Sequence, residues 1–583
     1  MATNVDVYDD LYLYATTDKF YIEPMRTKIL LVIDRTTHQI YTQAANPSQI
    51  PQTASRRKIW GIVGIVRLLS CPYLIVIDDA EKVGTVANQN IFKILATHII
   101  PYTRSMLHLD EKQIRNNEFY LEMVKSILNT PHFYFSYTYD LSHTMQRLHN
   151  TPPEFIQMPL HDRADPRFIW NSYLLQDLVA RPEHHKFCLP IIHGFLSLNT
   201  VVVNGISFNW GIISRRSVHR AGTRLFSRGI DANGNVSNFV ETEQIVEANG
   251  SKSSFVQTRG SIPLFWQQTP NLKYKPKPVL ASNESHLIAC ARHFESQIFH
   301  YGKQILINLI DHKGAEATLE KAYRDIVQEL KNQNIKYEAF DFHAECGKMQ
   351  WHRLEILMAR LAHDQEQMGY FLLTRDNVLL SVQDGIFRTN CIDCLDRTNV
   401  VQSMLAKRVL TDTLSKLEIS RNMAEHPSLE YLFKQVWADN ADIISIQYSG
   451  TSALKTDFTR TGKRTKMGAI KDGVNSLTRY YKNNFTDGFR QDAISLFLGR
   501  YIVQDGECLT VTCPLESERN WRYVTFPLVL LVASVMFVAH IILPSKYSTE
   551  TLLYMLFWAA MVAGTFATII HHGKQYVNKP KLS

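Results

Sequence analysis

The sequence predicts an α/β protein in which a strand-rich N-terminal subdomain packs on a second, α/β domain, followed by a hairpin of two membrane-spanning helices. Short apolar runs bounded by turn residues recur through residues 1–180, and such runs are typical of strands. Strand and helix patterns alternate between residues 304 and 417, which indicates a partly parallel sheet. Two uncharged apolar runs near the C-terminus are each long enough to cross a bilayer as a helix.

The strand runs at residues 29–33, 59–63 and 73–77 place the N-terminal subdomain at residues 1–180. The second domain, residues 181–500, adds strands up to about residue 300 and then alternates. Its alternating elements are a strand at 304–310, a helix at 320–331, a strand at 337–343, a helix at 351–365 and a strand at 370–374. They are followed by a strand at 377–383, a turn at Asp384-Gly385, a return strand at 386–388 and an amphipathic helix from about Thr398.

The segment that joins the return strand to this helix contains Cys391, Arg397 and Thr398. Five residues separate the cysteine from the arginine, and the threonine follows directly. Five intervening residues are enough to curl the backbone into a loop, residues 391–398, whose N–H groups point at the oxygens of one phosphate. Because the loop opens a helix, the helix dipole adds positive potential at the phosphate and lowers the thiol pKa. The predicted phosphate-binding residues are Ile392, Asp393, Cys394, Leu395, Asp396 and Arg397.

This Cys-x5-Arg loop predicts a phosphatase that uses a cysteine nucleophile and needs neither a metal nor a cofactor. Cys391 attacks phosphorus, Arg397 binds two oxygens bidentately, and water then hydrolyses the phosphocysteine. Thr398 is placed to hydrogen-bond the sulfur or help it leave. Asp393 is the preferred proton donor to the leaving hydroxyl. Alternatively, Asp393 and Asp396 both turn outward and cap backbone amides.

The same cysteines allow other interpretations. Cys391-x-x-Cys394 could be half of a zinc site or a redox pair, but no second pair of ligands at matching spacing is visible. Cys394 is interpreted as a small buried residue, with a reversible disulfide to Cys391 as the alternative. Cys513 and Arg519 repeat the spacing, yet Pro514 lies in that loop and no amphipathic helix follows. The bare spacing is therefore a weak signal, and its context carries the prediction.

The string Cys-x-Asp-Cys-Leu-Asp-Arg-Thr-Asn, residues 391–399, resembles the signature of the Sac family of phosphoinositide phosphatases. Arg388 and Asn390 extend the match, and further segments resemble the family at 239–244, 259–266, 437–440 and 455–464. The resemblance implies hydrolysis of phosphatidylinositol 4-phosphate, and also of phosphatidylinositol 3-phosphate, to phosphatidylinositol. The spacing alone predicts only a phosphomonoester substrate. A protein phosphotyrosine phosphatase and a non-catalytic, phosphoinositide-binding membrane tether are the alternatives.

The apolar runs predict transmembrane helices at residues 524–543 and 552–570, after a polar linker at 501–523. Basic residues flank the outer ends of the two runs, which places both termini in the cytosol. In the tail, residues 571–583, Lys579 and Lys581 resemble the signal read by the coats of Golgi-to-ER vesicles. A frayed basic tail is the alternative. The predicted location is the endoplasmic reticulum membrane, with multiple spans, a cytosolic catalytic domain and cycling to the Golgi membrane.

The net charge of +8 favours acidic partners, and no recognised nucleic-acid-binding motif accompanies it. Arg215 and Arg216 are the first of five clustered arginines. The cluster is compatible equally with an exposed basic strand face and with a lipid-binding surface. A second basic group lies closer to the apolar runs, where a surface that attracts anionic membranes has a use. Its predicted members are Lys455, Arg460, Lys463 and Arg464.

Overall fold

The computed structural model describes residues 6–45, 50–52, 54–282, 285–347, 350–461, 465–504, 506–507, 511, 513–515, 521–543 and 548–582. Strands β1 to β20 are Leu11–Ala15, Lys19–Pro24, Ile29–Asp34, Ile40–Ala44, Ser55–Ile59, Gly61–Arg67, Pro72–Val86, Gln89–Pro101, Phe133–Phe135, Ile192–Val203, Ile206–Arg216, Val240–Ala248, Ser251–Arg259, Trp266–Gln267, Val279–Leu280, Lys303–Asn308, Ile335–Ala339, Phe371–Leu373, Leu379–Ser381 and Gly385–Asn390. Helices α1 to α17 are Glu111–Leu128, Met145–His149, Pro153–Gln157, Leu160–Arg163, Gln176–Val179, His286–Tyr301, Ala317–Leu330, Phe342–Glu345, Leu354–Met368, Asp396–Lys416, Pro427–Ser449, Thr456–Thr461, Lys466–Phe485, Asp487–Phe497, Arg522–Ile542, Thr549–His571 and Gly573–Tyr576. Short 3₁₀ helices span Pro182–Phe187, Gly314–Glu316, Trp351–Arg353 and Met423–Glu425.

Two large sheets organise the chain ahead of the C-terminal helices. Strands β1 to β5 form an antiparallel sheet in the order β4-β3-β2-β1-β5. A 13-stranded sheet has the order β17-β16-β20-β13-β12-β11-β10-β9-β8-β7-β6, with β18 and β19 attached beside β13. This sheet continues across residue 180, so strands from both predicted domains share it. The mixed α/β class predicted from the sequence is confirmed.

The parallel end of the large sheet positions the cysteine motif. Strand β16 lies between β17 and β20 and runs parallel to both, and β20 runs parallel to β13. Helix α7 connects β16 to β17, and α10 follows β20 after a short loop. Asn308 and Asn390 pair at the carboxyl ends of β16 and β20. The motif therefore begins at the carboxyl edge of parallel strands, where α/β sheets bind ligands.

Several predicted elements have other bounds in the structure; the strand predicted at 377–383, for example, spans Leu379–Ser381, and the return strand predicted at 386–388 spans Gly385–Asn390. The run at 59–63 is split at Trp60 between β5 and β6, which belong to different sheets. The strand predicted at 337–343 ends at Ala339, because the Asp341 side chain accepts the amide hydrogen of Ala344 and begins α8. The helix predicted from residue 351 starts with one 3₁₀ turn, and α9 follows it.

Apolar packing fixes both ends of the motif. One core cluster joins β3, β6, β7, α1 and α14, and a second joins β16 with α7, α9, α10 and α11. On α10, Val401, Leu405 and Leu410 are fully buried in the second cluster. Burying each such side chain contributes roughly 1.5–3 kcal/mol, so α10 is held firmly beneath the loop that precedes it.

The C-terminal helices α15 and α16 pack along each other and are long and apolar enough to be candidate membrane spans. The described residues of the predicted polar linker, which precedes these helices, pack on the rest of the chain. Glu507 is buried and accepts hydrogen bonds from the hydroxyls of Tyr120 and Tyr501. Cys513 and Leu515 join the N-terminal core cluster. These residues form a packed connection.

Candidate active site

The cysteine motif spans the end of β20 and the first turn of α10. At the strand end, the side-chain amide of Asn390 donates to Oδ1 of Asn308 at 2.6 Å, which ties β20 to β16. Behind α10, Asn399 donates to the carbonyl of Trp437 at 2.9 Å and accepts from Asn440 at 3.0 Å. These buried amides connect both ends of the loop to neighbouring elements of the fold.

Cys391 carries the chemistry expected of a nucleophile. Its side chain is buried, and its Sγ accepts the amide hydrogen of Cys394 at 3.1 Å. Cys394 has φ of 54°, a left-handed conformation that turns this amide back toward the sulfur. Hydrogen bonding by the Cys394 side chain, with the charge of Arg397 and the Thr398 hydroxyl, holds the pKa of Cys391 well below its ordinary value, although burial and the charge of Asp393 oppose this. The site therefore favours the thiolate.

Cys394 is chemically different from Cys391. Its Sγ donates to the carbonyl of Gly260 at 2.9 Å, and its side chain is buried. Burial and the neighbouring Cys391 raise the pKa of Cys394 well above its ordinary value, so it stays a neutral thiol. Both cysteines are free in the structure. A small buried residue is the role that these contacts support.

Arg397 does not close over Cys391 in this structure. Its Nη1 donates to the carbonyl of Leu309 at 2.9 Å and to Oδ1 of Asp311 at 3.2 Å. Its Nη2 lies 3.7 Å from Glu316. Burial opposes the charged form of Arg397, but the charges of Cys391, Glu316 and Asp311 outweigh it and raise the pKa further. Arg397 is therefore a permanent cation held at the wall of the site by two acids.

Asp393 does not fit the predicted role of proton donor. Arg228 donates to its Oδ1 at 2.6 Å, and Arg224 binds both carboxylate oxygens, at 3.0 and 2.9 Å. Although burial raises the pKa of Asp393, the two guanidinium groups dominate and hold it below the usual carboxyl range. Asp393 is thus ionised at neutral pH and has no proton to donate. The negative charge of Asp393 is neutralised by arginines from the β11–β12 connection.

Asp396 has the opposite environment. Burial, followed by the charges of Cys391 and Asp393, raises its pKa to about 6, although Arg479 and the Leu454 amide lower it. Its Oδ1 accepts that amide hydrogen at 2.7 Å. A carboxyl group with a pKa near 6 is partly protonated at neutral pH, which is what general acid catalysis requires.

Buried arginines lie behind the loop. Arg259 is fully buried, and its Nη2 donates to Oδ1 of Asn399 at 3.3 Å. Burial lowers the pKa of Arg259 to about 10, and the negative charge of Cys391 opposes that shift. Arg388 is also fully buried and donates to the Ser261 carbonyl at 2.7 Å. A cation such as Arg259 stabilises negative charge on the Cys391 sulfur from behind.

A cavity of about 320 Å³ opens above the loop, with Ile392, Asp393, Asp396 and Arg397 in its lining. Its basic lining side chains are Arg224, Lys273, Lys275, Lys277, Arg397 and Arg479. Sequence reasoning missed the three lysines, although their alternation within residues 273–277 is a visible signal. Cationic walls around a nucleophile attract an anionic phosphate ester.

The predicted lipid surface at Arg215 and Arg216 is wrong, because both side chains are buried. Arg215 forms ion pairs with Glu241 at 2.9 Å and Glu243 at 2.7 Å across β11 and β12. Arg216 packs its guanidinium 5.2 Å from the ring of Trp170. Of the five clustered arginines, Arg215, Arg216 and Arg228 are buried, and Arg224 and Arg228 form ion pairs with Asp393 in the active-site loop.

The members of the second predicted basic group differ in their exposure and contacts. Lys455 is exposed, whereas Arg460 is half-buried and forms ion pairs with Asp439 and Asp442. Lys463 and Arg464 lie outside the described residues. Within the described part of the group, Lys455 is the exposed member that remains for a membrane surface.

The C-terminal tail lies on the soluble part of the chain. The backbone amide of Lys581 donates to both oxygens of Asp492, at 2.9 and 2.8 Å, and its Nζ donates to the Leu515 carbonyl at 2.7 Å. Leu582 is buried in the N-terminal core cluster. Lys579 is exposed. One of the two predicted sorting lysines is therefore held by contacts within the chain.

Comparison with known proteins shows which family the chain belongs to. The family model described as the SacI homology domain matches residues 60–347. The chain is 51% identical to phosphatidylinositol-3-phosphatase SAC1 of Drosophila melanogaster, over 99% of this chain and 97% of that protein. It is 48% identical to phosphatidylinositol-3-phosphatase SAC1-A of Danio rerio, over 99% and 98%. It is 38% identical to phosphatidylinositol-3-phosphatase SAC1 of Saccharomyces cerevisiae, over 90% and 85%. The chain therefore belongs to the Sac family of phosphoinositide phosphatases.

Proposed function

We propose that this protein hydrolyses phosphatidylinositol 3-phosphate and phosphatidylinositol 4-phosphate to phosphatidylinositol through a phosphocysteine at Cys391. The observation that carries the mechanism is the Cys394 amide hydrogen bond to the Cys391 sulfur, at the start of α10, which favours a thiolate. The names of the relatives specify the 3-phosphate. The sequence resemblance implied the 4-phosphate, and the cationic cavity is compatible with both isomers.

The chemical step moves one phosphoryl group twice. The Cys391 thiolate attacks phosphorus, the bond from phosphorus to the inositol oxygen breaks, and that oxygen takes a proton from Asp396. Water then attacks phosphorus, gives a proton back to the Asp396 carboxylate, and the S–P bond breaks to release inorganic phosphate. The amides that open α10 and Arg397 bind the negative charge on the phosphoryl oxygens. Thr398 stabilises the departing sulfur.

Substrate binding requires a local rearrangement in this proposal. Cys391 lies beneath the loop residues that line the cavity, and it is 2% exposed. Arg397 points at Asp311 and Glu316 instead of the sulfur. A phosphate dianion competes with these two carboxylates for the guanidinium group, since bidentate Arg–phosphate pairs have the same geometry. The arriving substrate therefore draws Arg397 inward as it opens access to the thiolate.

The C-terminal helices make the protein a membrane hairpin in this proposal, in the endoplasmic reticulum with cycling to the Golgi. The Asn578 amide donates to the Asn484 carbonyl at 2.7 Å, which supports placing the tail and the catalytic domain on the same, cytosolic side. Lys579 and Lys581 are the proposed contacts of a vesicle coat. Because Asp492 binds the backbone at Lys581, the tail must leave this site before a coat can read both lysines.

The substrate proposal is tested with the purified full chain in detergent. Phosphate release is measured from phosphatidylinositol 3-phosphate, phosphatidylinositol 4-phosphate, phosphatidylinositol 4,5-bisphosphate and a phosphotyrosine peptide. We expect turnover of the two monophosphates and loss of that turnover in Cys391→Ser. Faster release from the peptide would make the protein a tyrosine phosphatase. Phosphoinositide binding without release from any substrate would make it a tether.

A further inference from the structure

A cluster of three metal-ligand side chains lies in the N-terminal part of the fold, outside the cavity above Cys391. His161 and Asp162 belong to the short helix α4, and His185 belongs to the 3₁₀ helix Pro182–Phe187. One donor atom from each residue lies within 4.8 Å of the other two. Among the described histidine, cysteine, aspartate and glutamate residues, these three form the group whose donor atoms lie this close together. None of the three residues lines the active-site cavity.

His161 lies within ion-pair distance of Asp162, yet neither of its ring nitrogens has a hydrogen-bond partner among the described residues. Its side chain is 6% exposed. Its Nε2 lies 3.1 Å from Oδ1 of Asp162 without hydrogen-bond geometry. The rings of His161 and His185 lie 4.3 Å apart at 69°. A buried ring nitrogen without a partner costs free energy, and a metal ion can bind one of the two nitrogens of this ring.

We propose that His161, Asp162 and His185 bind a zinc ion, with water in the fourth position. Two imidazole nitrogens and one carboxylate oxygen are a ligand set that Zn²⁺ takes in proteins. Zn–N and Zn–O bonds of about 2.1 Å place tetrahedral ligands about 3.4 Å apart. The observed separations, up to 4.8 Å, therefore close with small side-chain rotations. The ion would pair the two nitrogen donors with the one charged oxygen donor already present.

The neighbouring cysteine does not compete for this role. Cys188 follows the 3₁₀ helix, and its Sγ donates to the carbonyl of His184. Cys188 does not belong to the group of side chains whose donor atoms lie within 4.8 Å of one another. The site is thus an imidazole and carboxylate site with no thiolate ligand. This distinguishes it from adventitious zinc on the low-pKa cysteine of the active site.

The ion would act as a structural link. Arg163, next to Asp162, donates to Asp6 and to the carbonyl of Ile156, while the carbonyl of Lys186 accepts the amide of Tyr8. A zinc ion between α4 and the 3₁₀ helix therefore joins two segments that both hold the first described residues of the chain. Binding to the folded state alone raises the unfolding temperature.

The test measures bound metal and unfolding in the full chain in detergent, after chelation and reloading with zinc chloride. We expect one equivalent of zinc by mass spectrometry and a higher unfolding temperature. His185→Gln and Asp162→Asn should each lose both effects while remaining folded in the metal-free state. His363→Ala removes an exposed histidine elsewhere, and Cys391→Ser removes the low-pKa thiol. Both controls should keep the zinc.

Cobalt replaces zinc in a second measurement that reports the ligand type. We expect tetrahedral Co²⁺ absorption in the visible range without a sulfur-to-cobalt charge-transfer band. Loss of zinc in Cys391→Ser, or a sulfur charge-transfer band, would move the metal to the cysteines and overturn the proposal. Equal zinc content in the wild type, His185→Gln and Asp162→Asn would also overturn it, as would a wild type that binds none.

Discussion

The amide nitrogen of Cys394 lies 3.1 Å from Sγ of Cys391 and donates a hydrogen bond to it. This contact is possible because Cys394 adopts a positive φ, which reverses the chain within the loop. The Cys394 side chain, the Arg397 guanidinium group and the Thr398 hydroxyl also favour negative charge on this sulfur by lowering its pKa. The charge of Cys391 in turn raises the pKa of both Asp396 and Arg397 in the same loop.

Asp396→Asn should slow hydrolysis of phosphatidylinositol monophosphates by about 10²–10⁴-fold, because the inositol oxygen is a poor leaving group that needs a proton. An activated aryl phosphate should be affected far less. The pKa of Asp396 is raised to about 6, and the protonated form is the donor. In the wild type, kcat for the lipid should therefore fall as pH rises through about 6. That limb should be absent from the pH profile of Asp396→Asn.

Asp393→Asn is the matched comparison for Asp396. The neutral amide would leave Arg224 and Arg228 without their carboxylate partner, so we expect equal losses on the lipid and on the aryl phosphate. A selective loss on the lipid in Asp393→Asn, with the pH limb unchanged in Asp396→Asn, would restore Asp393 as the proton donor.

Arg397→Lys should lower kcat/KM by about 10²–10³-fold, since an ammonium group cannot bind two phosphoryl oxygens in the plane of a guanidinium. Arg324→Lys is a suitable control, because Arg324 is a partly exposed arginine that also pairs with an acid at a helix surface. It should keep full activity. Steady-state kinetics on phosphatidylinositol 4-phosphate measure both variants. Similar kcat/KM values for the two would remove Arg397 from the site.

Arg215→Met should destabilise the fold instead of weakening membrane binding. The change leaves the buried carboxylates of Glu241 and Glu243 without their cation, which costs about 3–5 kcal/mol. Thermal unfolding of the full chain in detergent measures this loss. Lys455→Met, at an exposed position, should leave the unfolding temperature unchanged. A stable Arg215→Met protein with reduced liposome binding would return Arg215 to the surface.

Asp492→Asn should release the C-terminal tail, because the carboxylate accepts the backbone amides of Lys581 and Leu582. We expect more vesicle coat protein to bind the full chain in a pull-down, with phosphoinositide turnover unchanged. Glu366→Gln, at an exposed acid elsewhere, serves as the control. Replacement of Lys579 and Lys581 by serine should abolish coat binding. Equal coat binding by Asp492→Asn and the wild type would show that tail docking does not compete.

The sequence predicts the core of this site because the chemistry is local. Cys391, Arg397 and Thr398 stand within one strand–loop–helix unit, and periodicity alone places that unit at the edge of a parallel sheet. The alternation of strands and helices also indicates which edge of the sheet binds the ligand. These inferences require contacts between residues that are close in the chain.

The ionisation of the acids depends on distant contacts, which the sequence does not display. The sequence around Asp393 does not show which basic residues pair with it. The fold supplies two such partners, Arg224 and Arg228, from far earlier in the chain. The same limit explains the error at Arg215. The sequence does not distinguish a solvent-exposed arginine from one in a buried ion pair. The register between β11 and β12 places Arg215 beside its acidic partners.

The most direct test is to trap the covalent intermediate. The purified full chain is mixed with phosphatidylinositol 4-phosphate, denatured within milliseconds at alkaline pH, digested, and examined by peptide mass spectrometry. We predict one phosphate on the peptide that contains Cys391, with no such species in Cys391→Ser. Cys513→Ser, which alters the other Cys-x5-Arg sequence, should keep both the phosphopeptide and turnover. Sustained turnover by folded Cys391→Ser, or phosphate on another residue of the wild type, would contradict the account.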